Sequence, residues 1–219
     1  MKVLEYVSGD FKVNKEEVTS REYILSHVRA CVVPDNDIIL NTDVVRTNFL
    51  DLAVIYKVVV NLGSNEHIGA YNLNYDIMTR AGITESELFD TVKAYKDFTL
   101  TPIMSAIMDY FDAPADEYRE IDFSVPDIYV MTTKDRIFGA TAMFSDALRN
   151  LQDKISKDLV IIPCSKMEIL VLIYHEDIDI AAIKKLVKSI NSNESLVSAE
   201  EFLSNSVYLL NSSGLSILA

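Results

Sequence analysis

The sequence predicts an α+β protein of two lobes: an N-terminal β-hairpin packed by helices, and a C-terminal βαββαβ lobe in the ferredoxin-like order. Three observations carry this. Phe49 to Val60 is the most apolar run, dense in β-branched residues, and a short loop joins it to Ile68-Gly-Ala-Tyr-Asn-Leu-Asn-Tyr75, which reads as its partner strand. From Ile128 onward, short apolar strand-like runs alternate with segments of helical period. Between them, Ala113-Pro-Ala115 and Val125-Pro126 frame an acidic stretch that reads as a linker, giving lobes 1–112 and 127–219 around 113–126.

Taken in order, Asn14-Lys-Glu-Glu17 opens a helical pattern through Val18, Ile24, Leu25 and Val28 to about Ala30. Pro34 and the polar Asp35-Asn-Asp37 stop it. Ile38-Ile-Leu40 is a short apolar piece, strand or turn. Helix is the alternative for Phe49–Val60, but the valines favour strand. Asp76 to Met78 turns helical, and Ala81-Gly82 ends that helix. Thr84-Glu-Ser-Glu87 is a capping box: the Thr84 hydroxyl takes a backbone N–H and the Glu87 carboxylate reaches back. Leu88, Val92 and Tyr95 line the helix that follows. Thr101-Pro102 reads as the start of another, with Met104, Ile107, Met108 and Phe111 inward.

In the second lobe Ile128–Met131 is a strand, Ala140–Ile155 a helix, and Leu159–Ile162 a strand ended by Pro163. Ile169–Tyr174 is a strand. Asp177 or Asp179 caps a helix with Ile183, Leu186, Val187 and Ile190 inward. Val207–Leu210 is the last strand.

Composition narrows function. The 219 residues are 49% hydrophobic, enough for a sizeable core, with a mean hydropathy of +0.15. No apolar run reaches the roughly 18 residues of a membrane-spanning helix, and the N-terminus lacks a signal-peptide pattern, so a cytoplasmic protein is expected. The net charge of −13 opposes direct binding to nucleic acid phosphates or anionic membranes. It fits simple solubility, or an acidic surface that mimics nucleic acid.

The order of motifs resembles a bacterial family of unknown function, widespread in gut anaerobes and mobile genetic elements. The matching stretches are Asn48-Phe-Leu-Asp-Leu-Ala-Val54, Gly82-Ile-Thr-Glu-Ser-Glu-Leu88, and Ile128-Tyr-Val-Met-Thr-Thr-Lys134 with Gly139-Ala140. Ile161-Ile-Pro-Cys-Ser165 with Glu168-Ile-Leu-Val171, and Ser198-Ala-Glu-Glu-Phe-Leu-Ser204 with Val207-Tyr208, extend it from about Tyr23 to the C-terminus. The resemblance implies no activity, cofactor or catalytic residue.

The residues themselves offer little chemistry. His27, His67 and His175 have no metal-ligand spacing to one another or to Cys31 and Cys164, so no metal site or cofactor is expected. No phosphate loop or nucleophile elbow is present. Asp51, inside the apolar run, is the acid to inspect first: it either caps a backbone turn or pairs with Arg46 or a lysine, or it is an acid in a cleft with a raised pKa. Thr132-Thr-Lys-Asp135 follows a strand, where clefts often form.

Three readings follow, in this order. The first is a non-enzymatic module that binds a protein partner, with a homodimer left open. The second is an anti-defence inhibitor presenting Asp109, Asp112, Asp116, Glu117, Glu120 and Asp122 as a phosphate-like surface to a nuclease. The third is an enzyme with a site near Asp51, drawing on a distant residue such as Lys134.

Overall fold

A computed structural model describes residues 13–61, 68–110, 128–193, 195 and 197–218. The fold is α+β with two antiparallel sheets, and the chain divides into compact units of residues 1–94 and 95–219.

In the first unit, α1 (Lys15–Val18) and α2 (Arg21–His27) precede β1 (Val28–Pro34). Asn14 and Ser20 cap the two helices by accepting backbone N–H groups. The expected helix to Ala30 therefore ends early. Val28 is already extended, and Val28-Arg-Ala-Cys-Val-Val33 pairs residue by residue with β3 (Leu52–Asn61), where β-branched side chains pack well. Ile38–Asn41 is a 3-10 turn capped by Asp37.

The central strand is β3. Its register puts β1 on one edge, and β2 (Arg46–Phe49) followed by β4 (Ile68–Asn72) on the other. The predicted pairing of the apolar run with Ile68–Asn72 is thus present. The run is not one strand from Phe49, however. Phe49 pairs with Leu52 across a two-residue turn, Leu50-Asp51, with Leu50 at φ +56°. A positive φ at the first central position alone follows the type II′ hairpin pattern. Leu52 to Tyr56 are all buried, and the Tyr56 hydroxyl hydrogen-bonds the Thr47 hydroxyl at 2.6 Å.

Next come α3 (Tyr75–Arg80) and α4 (Glu85–Lys93). Gly82, at φ +64°, turns the chain out of α3 while its N–H bonds Thr79 O and the Ile83 N–H bonds Met78 O, a Schellman stop. Thr84 caps α4 as expected, accepting from Glu87 N at 3.2 Å. The Glu87 carboxylate pairs with Arg21 rather than reaching back.

The second unit begins earlier than expected. Phe98–Pro102 is a strand, β5, antiparallel to β6 (Ile128–Thr133), so the expected break near 112 falls inside this unit. Helix α5 (Ile103–Tyr110) begins after Pro102. The alternation Phe98-Thr-Leu-Thr has period two, and pairing with β6 decides it. The linker stretch 113–126 lies outside the described residues.

From β6 the chain forms a wholly buried 3-10 segment (Gly139–Phe144), α6 (Asp146–Ile155), β7 (Leu159–Ser165), β8 (Glu168–Ile173), α7 (Ile180–Asn191), β9 (Tyr208–Asn211) and β10 (Gly214–Ile217). The single helix expected over Ala140–Ile155 breaks at Ser145, which caps α6 by accepting from Leu148 N at 3.2 Å. Pro163 does not end β7; a register shift between Pro163 and Ser165 accommodates it. Asp179, one of the two expected caps, holds the start of α7.

The β-α-β-β-α-β order along the chain is present, and the sheet runs β10-β9-β7-β8-β6-β5 in space. Its centre is the β7–β8 hairpin, with β6 outside it, whereas a ferredoxin-like sheet seats the first strand of the motif centrally. Among the described residues no helix is long and apolar enough to cross a membrane.

Candidate functional site

Strand alternation gives the second sheet two unlike faces. Tyr129, Met131, Thr133, Leu159, Ile161, Ile169, Val171 and Ile173 point one way and are all buried. That face is closed by the 3-10 segment, which packs on β6, β7 and β8, and by α6 behind it. The alternate residues point to the other face, where Ile128, Thr132, Glu168, Leu170, Leu172 and Cys164 are only half-buried.

On this second face α5 packs over β5 and β6. Val187 of α7 packs over Val160 and Ile162 of β7 and over Val207. Between the two helices lies a groove of about 870 Å³. Its floor is Thr99 and Thr101 of β5, Ile128, Val130 and Thr132 of β6, Leu170 and Leu172 of β8, and Ile162 and Cys164 of β7. Its walls are Ile103, Ala106 and Ile107 from α5 and Ile183, Leu186, Val187 and Ile190 from α7. The volume lies within the range of ligand-binding clefts, and the lining is mostly apolar with a few polar groups, as binding sites are.

The polar groups are held by the β7–β8 turn. Thr132 Oγ1 donates to Met167 O at 2.6 Å, Ala140 N to Lys166 O at 3.2 Å, and Met167 N to Ser165 Oγ at 3.1 Å. Gly139 lets the turn approach, because a Cβ there would stand 1.8 Å from Met167 O. This places Met167 and Glu168 at the groove. Burial pushes the Glu168 carboxyl above its usual range, and the Arg136 guanidinium partly offsets it. Burial and the Glu168 charge push the Cys164 thiol up to about 12, the Leu170 backbone opposing. A thiol so poorly ionised is a weak nucleophile.

The residues singled out from sequence fall elsewhere, Thr132 excepted. Asp51 sits half-buried in the β2–β3 turn, not on a strand, and already has a partner. The Lys134 ammonium bonds Asp97 at 2.9 Å. Thr133 Oγ1 donates to Asp135 at 2.7 Å, which ties up that loop. Asp109 lies in α5 with its side chain outside the description, and Asp112, Asp116, Glu117, Glu120 and Asp122 lie outside the described residues. So does His67; His27 stacks on Tyr23 with ring centroids 3.9 Å apart. Among the described residues no cluster of three His, Cys, Asp or Glu side chains fits a metal ion. In the first unit a shallower depression of about 440 Å³ includes Arg21 and Arg80, which are paired with Glu87 and Asp76.

The groove is missed in the sequence because β5 is: Phe98-Thr-Leu100 falls between two expected helices, and Thr101-Pro102 reads as the start of the second. The even-numbered residues of β6 and β8 carried the available clue, a period-two row ending in Thr132 and Glu168.

No curated protein and no solved structure matches the chain. The model of the family of unknown function DUF5688 matches residues 1–212, so it reaches the N-terminus rather than starting near Tyr23. The chain belongs to that family.

Proposed function

We propose that the protein is an interaction module whose second unit receives a segment of a partner protein in the groove between α5 and α7. The rim carries this reading. Ile107, Met167, Leu186 and Ile190 line the groove yet remain 43%, 43%, 60% and 39% exposed. A small ligand sunk in the cleft would leave such side chains in water. A partner that extends past the mouth would bury them, at about 25 cal/mol per Å² of apolar area. Flexible Met167 suits an adaptable contact. The carboxylates on which nucleic-acid mimicry would rest lie outside the described side chains.

The test is capture from the native host's extract on wild type, on Leu186→Asp, and on Ile38→Asp as an exposed apolar control in the first unit. The same partner should be enriched on wild type and Ile38→Asp and fall at least about tenfold on Leu186→Asp, since burying a charge in a contact costs more than 1.4 kcal/mol. Equal retention by Leu186→Asp, or a co-purifying small molecule with no protein, overturns the reading.

A further inference from the structure

We infer that the segment seated in the groove is a basic amphipathic helix of the partner protein, with its apolar row in the slot and a cation on Glu168. This rests on the groove being a protein-docking site, and adds the shape and charge of what docks. The shape follows from spacing. The footprints of α5 and α7 are two to three strands apart, roughly 10–14 Å at about 4.8 Å per strand. A helix with its side chains is about 10 Å across, so the slot is too narrow for a third helix in the same layer. It accepts a row of side chains from a helix lying across the top, spaced at i, i+3 or i+4, and i+7. The exposed Leu186 and Ile190, four residues apart on α7, would meet the flanks of that helix.

The charge follows from Glu168. It lines the groove half-buried, and no described side chain hydrogen-bonds or ion-pairs with its carboxylate. Arg136, the one cation among the described lining residues, favours the charged Glu168 at a distance without bonding it, and Glu201 is a second acid. Glu201 is already engaged by Ser198, which donates to it at 3.0 Å. Glu168 is therefore the lining acid with capacity to spare, in a chain of net charge −13 that repels acidic partners. A lysine or arginine arriving with the apolar row would restore the solvation that Glu168 loses in the groove.

Three synthetic peptides of about 18 residues, long enough to form a helix, supply the probe. One places leucines at helical period among lysines, one has glutamates for the lysines, and one alternates leucine and lysine as a strand would. Binding is read by fluorescence anisotropy at physiological salt. The helical leucine–lysine peptide should bind at least tenfold tighter than either of the others. Glu168→Gln should weaken it roughly fivefold, the size of a half-exposed ion pair, while Glu22→Gln in the first unit, a control for overall charge, should not. Leu186→Asp and Ile190→Asp, both at exposed positions, should abolish it with unfolding temperatures unchanged. Tighter binding of the acidic or the alternating peptide, or equal effects of Glu168→Gln and Glu22→Gln, overturns the inference while dependence on Leu186 keeps the docking reading. Undiminished binding to both aspartate variants overturns the docking reading as well.

Discussion

The two faces of the second sheet share the same strands and differ in what covers them. On one, Ile161, Ile169 and Val171 are sealed under the buried 3-10 segment and α6. On the other, Leu170 and Leu172, their immediate neighbours in sequence, stay half-buried because α5 and α7 stand apart. Apolar residues in alternation thus serve two ends. One row is spent on stability, and the next is kept accessible at the cost of exposed apolar area.

The largest effect should come from the sealed face. Ile161→Ala should destabilise the second unit by about 2–5 kcal/mol in denaturant unfolding, whereas Leu170→Ala in the groove should cost clearly less, on the order of 1 kcal/mol. Equal costs would mean that the groove face is core after all.

Gly139→Ala sharpens the comparison, because Gly139 lies under the turn that presents Met167 and Glu168. A Cβ 1.8 Å from Met167 O and 2.6 Å from Thr132 Oγ1 must displace backbone, at a cost of about 1–3 kcal/mol or more. Unchanged stability, with unchanged backbone shifts at Lys166–Glu168, would show that the turn is not held there.

Cys164 tests accessibility separately from charge. Its thiol, pushed up to about 12 by burial, should be alkylated at pH 8 at least about a hundredfold more slowly than a free cysteine, and quickly once the chain is unfolded. Fast native-state labelling would contradict its setting beside Glu168 and Leu170.

The smallest effect is that of Glu168→Gln. Burial raises the folded carboxyl pKa above the usual 4.5, so the folded state holds its proton more tightly than the unfolded chain. Stability is then lost as pH rises from the unfolded value through the folded one. The substitution should raise the unfolding temperature slightly at neutral pH, by a few tenths of a kcal/mol in stability, with the gain vanishing below about pH 4. A loss of stability at neutral pH would show that the carboxylate has a stabilising partner.

Much of the architecture is legible in the sequence. Thr84, Asp179 and Gly82 mark helix ends through local chemistry, and the β3–β4 pairing follows from valines and a glycine loop. Long-range pairing is where local reading fails. Val28 to Ala30 continue a helical period but are drawn into the sheet by β3, and Phe98–Pro102 becomes a strand by pairing with β6. Asp51 reads as part of one long strand because nothing in Leu50 announces a left-handed turn. The groove was hidden for the same reason, since four strands and two helices distant in sequence build it. Glu168 reads as an ordinary residue between a turn and the strand from Ile169 until its surroundings are known.

The central claim is that the half-covered face of the six-stranded sheet is where this protein binds. Methyl NMR of the isoleucine, leucine and valine side chains during titration with the helical leucine–lysine peptide tests it directly. Shifts should move at Ile162, Leu170, Leu172, Ile183, Leu186 and Ile190 and stay still at Ile161, Ile169 and Val171. Shifts confined to the first unit, or spread equally over both faces of the sheet, would contradict it.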